Sequence, residues 1–163
     1  MNMPSKCIDL GDFLILKRHE LAQARLVFTN GCFDLLHPGH IKLLEEAQNL
    51  GDILIVGLNS DVSVRHIKGP SRPITPQQDR AIILASIQWV DYIIIFNDPT
   101  PLALIQAIVP DVLIKGGDWS PETIIGSELV LKHGGQVLSL PFCPGYSTTG
   151  LIQKILEKNT VHV

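Results

Sequence analysis

The sequence predicts an α/β fold: a doubly wound parallel sheet of five strands with helices on both faces. Three observations carry that prediction. Five strand-length apolar runs, rich in β-branched residues, recur without the alternation of a half-solvated strand, so each is expected to be covered on both faces. Helical patterns lie between them, which calls for parallel strands joined by right-handed crossovers. The chain has 163 residues, 45% hydrophobic and 18% charged, which suits one domain with a substantial core.

The elements follow in order. Residues 9–24 read as an extra helix, so residues 1–24 form a helical extension and residues 25–158 the core of a single domain, 1–163. Leu26-Val27-Phe28-Thr29 is the first strand. A helix follows over residues 38–50, with Pro38 at its first helical position and Gly51 just past its end. Residues 53–57 form the second strand and residues 60–67 a short helix. The next helix opens at Thr75-Pro76-Gln77-Gln78, where Thr75 and Gln78 are spaced as a capping box. Residues 92–96 make the third strand, 101–108 a helix, 111–114 the fourth strand, 127–133 a helix and 136–140 the fifth strand. The last helix starts near Ser147 and sets Leu151, Ile152, Ile155 and Leu156 on one face. In open sheets of this kind, ligands bind at the carboxyl ends of the strands where strand order reverses. The loops after strands one and four are therefore where a site is expected.

Composition narrows the function. The net charge is −3 and the thirteen Lys and Arg are scattered, with no basic stripe to track nucleic acid. The longest apolar runs are of strand length, so no membrane partner is expected. The N-terminal residues, with Lys6, Asp9 and Asp12 among them, do not read as a secretory signal. Cys7, Cys32 and Cys143 are odd in number and lack metal-ligand spacing. A cytoplasmic protein with free thiols and no protein-held metal is expected. Neither a Gly-x-Gly-x-x-Gly turn nor a Walker-type phosphate loop is present, which sets aside hydride transfer and NTP hydrolysis.

The informative segment is the first strand-to-helix turn, residues 29–40. His37 falls at the N-cap and His40 three residues on, so both rings leave the first helical turn on one side. Gly39 between them lets a phosphate approach the free amides at the positive helix end. A single histidine near a helix start is more often a cap than a catalyst. The pair, directly after a buried strand and ahead of a proline-started helix, points to binding of a crowded phosphorus centre.

His37-Pro38-Gly39-His40 resembles the HxGH signature of the nucleotidylyltransferase superfamily. The preceding Gly31-x-Phe33-Asp34 resembles its cytidylyltransferase-like branch, with a Rossmann-like sheet. Further blocks in order, Asn59-Ser60-Asp61, Lys68-Gly69, Ser71-Arg72-Pro73, Lys115-Gly116-Gly117-Asp118 and Ser147-Thr148-Thr149, resemble the adenylyltransferases that form ADP-heptose for lipopolysaccharide core assembly. That resemblance implies transfer of AMP from ATP to D-glycero-β-D-manno-heptose 1-phosphate, with release of pyrophosphate. The acceptor phosphate is already largely dianionic at neutral pH, so no general base is required, and the protein's task is positioning and charge stabilisation.

On this resemblance His37, His40, Lys68 and Arg80 are the catalytic candidates. For Arg80 a structural salt bridge with Asp79 or a neighbour competes with a role at the nucleotide. Arg72, beside Lys68, is a weaker candidate for the phosphates. Thr29, Asn30, Gly31, Phe33 and Gly39 of the first turn are expected at the nucleotide. So are Lys115, Gly116, Gly117 and Asp118 after the fourth strand, where paired glycines let backbone lie against a base or ribose. Trp119 either closes over the nucleotide or packs. Ser147, Thr148 and Thr149 open the last helix as a cradle for the β- and γ-phosphates, or as ordinary caps. Mg²⁺ is expected to arrive with ATP, and family resemblance implies a homo-oligomer.

Three alternatives stay open. Glycerol-3-phosphate or phosphoethanolamine cytidylyltransferases carry an arginine where this chain has Phe142, which argues against that branch. Nicotinamide-mononucleotide and flavin adenylyltransferases show no acceptor segments here. A non-catalytic nucleotide-binding module is a different class of reading, and turnover discriminates it. Related heptose enzymes also occur fused to a sugar kinase, for which 163 residues leave no room. The kinase step is then expected on a separate chain.

Overall fold

The structure, a computed structural model, describes residues 3–141 and 144–160. Five strands, β1 (Leu26–Gly31), β2 (Ile53–Asn59), β3 (Tyr92–Phe96), β4 (Val112–Gly116) and β5 (Gln136–Leu140), form one parallel sheet in the order β3-β2-β1-β4-β5. The helices are α1 (Leu10–His19), α2 (Pro38–Gln48), α3 (Asp61–Lys68), α4 (Gln77–Ala85), α5 (Leu102–Ile108), α6 (Ser127–Lys132) and α7 (Thr148–Thr160).

Period-2 alternation splits each apolar run between two cores. Leu26 and Phe28 of β1, Ile55 of β2, Ile94 of β3 and Leu113 of β4 point to one face, where they meet Phe13 of α1, Ile105 of α5 and Val130 of α6. Val27, Leu54, Val56, Ile93 and Ile114 point to the other, against Leu44 and Ala47 of α2 and Leu84 of α4. Burying each such side chain stabilises by roughly 1.5–3 kcal/mol. That is why runs without alternation remain strands: both faces are covered.

The amino ends of the strands are tied by three aspartates, each placed just before a strand. Asp52 accepts from the amide of Arg25 at 2.7 Å, Asp91 from Leu54 at 2.8 Å and Asp111 from Leu26 at 2.7 Å. These bonds pin register at the closed end of the sheet. The carboxyl end behaves differently. The β1–β4 ladder pairs Thr29 with Ile114 and goes no further, while β1 stays paired with β2 through Gly31 and Leu58. The strand order reverses at that point, and the sheet opens there.

Several boundaries depart from the sequence reading. β1 and β4 run on to Gly31 and Gly116, and β2 to Asn59, so Lys115 and Gly116 lie within a strand rather than after it. The helix at the chain start ends at His19. The capping box at Thr75 and Gln78 does not form. Helix α4 starts at Gln77 with Pro76 as its N-cap and no side-chain cap bond. Tertiary partners take the groups instead: the Asp34 carboxylate accepts from the amides of Ile74 and Thr75, and the Gln77 side chain accepts from the amide of Asp61. On α7, Leu151 and Ile152 are half-buried while Ile155 and Leu156 are exposed. Among the described residues, no helix is long and apolar enough to cross a membrane.

Candidate active site

A cleft of about 570 Å³ opens where the sheet parts, at the carboxyl ends of β1, β2 and β4. Its floor is the turn from β1 into α2, with Asn30, Gly31, Cys32 and Phe33. The connection after α3 closes one side, and β4 with the start of α7 closes the other. Phe33 holds a left-handed backbone (φ 44°), and its ring lies against Gly31, where an added Cβ would come within 3.1 Å of it. The turn is thus tight, and a side chain at residue 31 would press on the Phe33 ring.

The proline-started α2 presents its two histidines as a stacked pair, with ring centroids 3.8 Å apart and planes 25° apart. The His37 amide donates to His40 Nδ1 at 3.3 Å. This fixes the tautomer: with Nδ1 accepting, the His40 proton sits on Nε2, free to be donated. His40 lines the cleft. His37 does not. Its ring stands behind His40 towards Tyr146, 6.3 Å away, and its Nδ1 is buried with no hydrogen-bond partner among the described residues. Burial lowers the pKa of His37, and burial together with the neighbouring His37 lowers that of His40 to about 4. Both rings are therefore neutral donors at neutral pH.

The His40 shift has a consequence for stability. A histidine whose folded pKa lies below its unfolded value of about 6.5 stabilises the fold above that value. As pH falls towards 4 the unfolded chain takes up the proton first, and the stability is lost, by up to ~3 kcal/mol for this group. Denaturant unfolding at pH 7.5 and pH 4.5 is expected to show this loss. H40N is expected to remove most of the difference, and an equal loss in the variant would place its origin elsewhere.

Three cations line the cleft, Lys68, Arg72 and Lys115, against one carboxylate, Asp34. In a chain of net charge −3 this is a local reversal of sign. Lys68 ends α3 and is exposed, followed by Gly69 at φ 94°. Lys115, on the opposite wall, is half-buried and reaches Asn30 Oδ1 at 3.4 Å across the gap between β1 and β4. Burial depresses its pKa, with the Lys68 charge adding to the effect and Cys32 opposing it. Such a lysine gains from an anion beside it.

Asp34 is buried and fully engaged. It accepts from Arg72 Nε at 2.6 Å, from the Ile74 amide at 2.9 Å and from the Thr75 amide at 2.9 Å. Burial alone would raise its pKa; the two amides and Arg72 outweigh that and hold it below the ordinary carboxylate value.

Arg80 requires a correction. Expected among the catalytic residues, it is 1% exposed and does not reach the cleft. Its guanidinium donates to the carbonyls of Thr75 (2.9 Å), Cys32 (2.5 Å) and Asn59 (2.8 Å) and pairs with Asp61 at 2.7 Å. The partner is Asp61, not the adjacent Asp79. Arg80 braces the loops around the cleft from behind.

The remaining expected residues divide. Asn30, Gly31, Phe33, Gly116, Thr148 and Thr149 line the cleft with His40, Lys68 and Lys115. Thr29 lies under it, fully buried, with its hydroxyl unpaired among the described residues. Gly39, Gly117, Asp118 and Ser147 are not in its lining. Gly117 is in a left-handed conformation (φ 124°) and its amide donates to the Leu140 carbonyl. Ser147 accepts from the Gly150 amide at the start of α7 as an ordinary cap, and Thr148 donates to the Leu35 carbonyl at 3.4 Å. Trp119 is half exposed on the cleft wall. Phe142 and Cys143 lie outside the described residues, while Cys7 and Cys32 are free thiols. The sequence reading missed Asp34 as a cleft residue, although it stands inside the Gly31-x-Phe33-Asp34 block.

The profile of the family described as cytidylyltransferase-like matches residues 28–154, from the first strand into α7. The chain belongs to the cytidylyltransferase-like family. Within it, the chain is 53% identical over 133 residues to "Bifunctional protein HldE" of Syntrophotalea carbinolica, covering 82% of this chain and 27% of that protein. The HldE protein of Rhodopseudomonas palustris is also 53% identical, over 136 residues, covering 83% of this chain and 28% of its own length. The chain thus spans little more than a quarter of these relatives. Among solved structures, the lipopolysaccharide core biosynthesis protein of Thermoplasma volcanium superposes with a TM-score of 0.59 at 28% identity, covering 74% of this chain and 97% of the other. A pantoate-β-alanine ligase from Francisella tularensis shares the fold, with a TM-score of 0.55 at 16% identity over 93% of this chain and 78% of the other.

Proposed function

We propose that this cytidylyltransferase-like chain transfers AMP from ATP to D-glycero-β-D-manno-heptose 1-phosphate, giving ADP-heptose and pyrophosphate. The observation that carries the reading is the cleft at the strand reversal, where Lys68, Arg72 and Lys115 surround a neutral His40 at the start of α2. It suits two phosphate-bearing substrates brought together. The choice of adenine and heptose draws on the residue blocks and on the HldE proteins and the lipopolysaccharide core biosynthesis protein to which the chain is similar.

The nucleotide takes the half built by Lys115, Gly116 and the start of α7, where Thr148 and Thr149 offer hydroxyls and amides to the β- and γ-phosphates. The acceptor takes the β2 half, beside Lys68. An acceptor phosphate oxygen attacks the α-phosphorus, and the bond to the bridging oxygen of pyrophosphate breaks in line. His40 Nε2–H donates to the phosphate oxygens as charge builds, with no proton transfer needed. Asp34 is saturated by Arg72 and two amides, and no group of three His, Cys, Asp or Glu among the described residues can hold a metal. The donor set fits Mg²⁺ carried by the triphosphate with its own waters, where it neutralises phosphate charge. The same reading places the protein in the cytoplasm as a homo-oligomer.

The test incubates the protein with Mg²⁺, the heptose 1-phosphate and each of the four NTPs while pyrophosphate release is followed. Release with ATP is expected. Release with CTP or GTP alone would overturn the base assignment. Silence with every NTP and with other phosphorylated acceptors would leave a binding module.

A further inference from the structure

We infer that Arg72 anchors the phosphate of the acceptor and that Asp34 is the positioning residue that presents it; the inference rests on the adenylyl-transfer reading above. Arg72 is held in an unusual way for a plain ion pair. Its Nε, not its terminal fork, meets Asp34 Oδ2 at 2.6 Å, and neither terminal nitrogen has a hydrogen-bond partner among the described residues. The side chain is 16% exposed and lines the cleft, and its terminal nitrogens stay open to solvent, where an incoming anion can meet them. Four free N–H bonds in a planar fork match the geometry of a phosphate dianion.

The carboxylate that orients Arg72 is itself fixed from the other side. Asp34 accepts from the amides of Ile74 and Thr75 at 2.9 Å, so one group clamps both the Arg72 side chain and the backbone just beyond it. The clamp joins the turn after β1 to the segment between α3 and α4. Lys68, the last residue of α3, also lines the cleft beside that segment, and it has no charged partner among the described residues. Asp34 neutralises one cation there and leaves Lys68 with the unused Arg72 fork.

The side of the sheet decides which phosphate this serves. The nucleotide half is built from β4 and α7, on one flank of β1. Lys68 and Arg72 come from the connection after β2, on the other flank. In-line transfer puts the attacking oxygen and the leaving pyrophosphate on opposite sides of the α-phosphorus. His40, at the start of α2 after β1, stands between them.

The experiment compares wild type with R72A, R72K and D34N in steady-state kinetics, varying acceptor and ATP separately. R72A is expected to raise the acceptor KM about 10- to 100-fold, the loss of charge-assisted bonds to one phosphate, with the ATP KM within about threefold. That unchanged ATP KM also reports an intact fold. R72K is expected to recover part of the loss. D34N keeps the Arg72 charge but turns an NH₂ donor towards either Arg72 Nε or the two amides, so it misaims a cation that is still present, and its effect on the acceptor KM is expected to be smaller than that of R72A. An acceptor KM unmoved by R72A, or an ATP KM that rises equally, would overturn the inference. So would a folded D34N whose acceptor KM stays at the wild-type value, since Asp34 would then not be what presents Arg72. If wild type shows no turnover, the adenylyl-transfer reading fails separately, and calorimetric titration with inorganic phosphate decides the role of Arg72. Binding by wild type and its loss in R72A supports the anchor. Equal binding, or none in wild type, sinks it.

Discussion

His40→Ala is expected to lower kcat by about 100- to 1000-fold, with the ATP KM changed far less. The reason lies in what the ring is held to do. Its Nδ1 accepts from the His37 amide, so the only proton of a neutral ring sits on Nε2, and the pKa of about 4 keeps the ring neutral through the physiological range. A donor of that kind acts by hydrogen bonding to charge that grows on the phosphate oxygens, which affects the transition state more than the bound substrate. The fold should survive, because the substitution frees one amide at a helix start, a cost of roughly 1 kcal/mol. Two controls sharpen the result. H40N retains a donor and is expected to keep more activity than H40A. The rate profile between pH 6 and pH 9 should show no inflection that vanishes with His40. A folded H40A with wild-type kcat would remove His40 from the chemistry.

What the sequence disclosed and what it hid follow one physical division. The strands were legible because burial on both faces leaves continuous β-branched runs, as in Tyr92–Phe96, whose bounds coincide with the prediction. Their carboxyl ends were not. Asn30, Gly31, Lys115 and Gly116 are poor strand formers held in place by neighbouring backbone, and strand propensity is set largely by context. The histidines at the start of α2 were legible because proline, glycine and cap spacing are local signals. Asp34 and Arg80 were not legible in their roles, because their partners lie far along the chain. Asp34 meets Arg72 across 38 residues, and Arg80 meets Cys32 across 48. The Thr75–Gln78 capping box was a sound local reading overruled by that same aspartate, which took the amides around the helix start first.

Arg80 is where a local reading and the packed structure give opposite experimental expectations. If Arg80 touched substrate, its loss would reduce turnover while sparing the fold. The structure predicts the reverse order of effects. Arg80→Met preserves much of the volume but leaves the carbonyls of Cys32, Asn59 and Thr75 without their donor and Asp61 without its cation. Breaking one partner of a buried ionic network costs on the order of 3–5 kcal/mol. In a domain of this size that lowers the melting temperature by about 6–20 °C, measured by calorimetry or by circular dichroism. Kinetics should change as a consequence of loosened loops. Cys32 belongs to the cleft floor and Thr75 to the segment carrying Arg72, so both KM values are expected to rise together. Arg80→Lys retains a charge but cannot serve three carbonyls and a carboxylate from one ammonium, so it should recover only part of the stability. An R80M protein that melts as wild type does yet fails to turn over would return Arg80 to the reacting phosphates. A protein that melts early and binds both substrates weakly, but keeps a substantial kcat at saturation, would establish it as the brace that holds the cleft's floor in register with the α3–α4 connection.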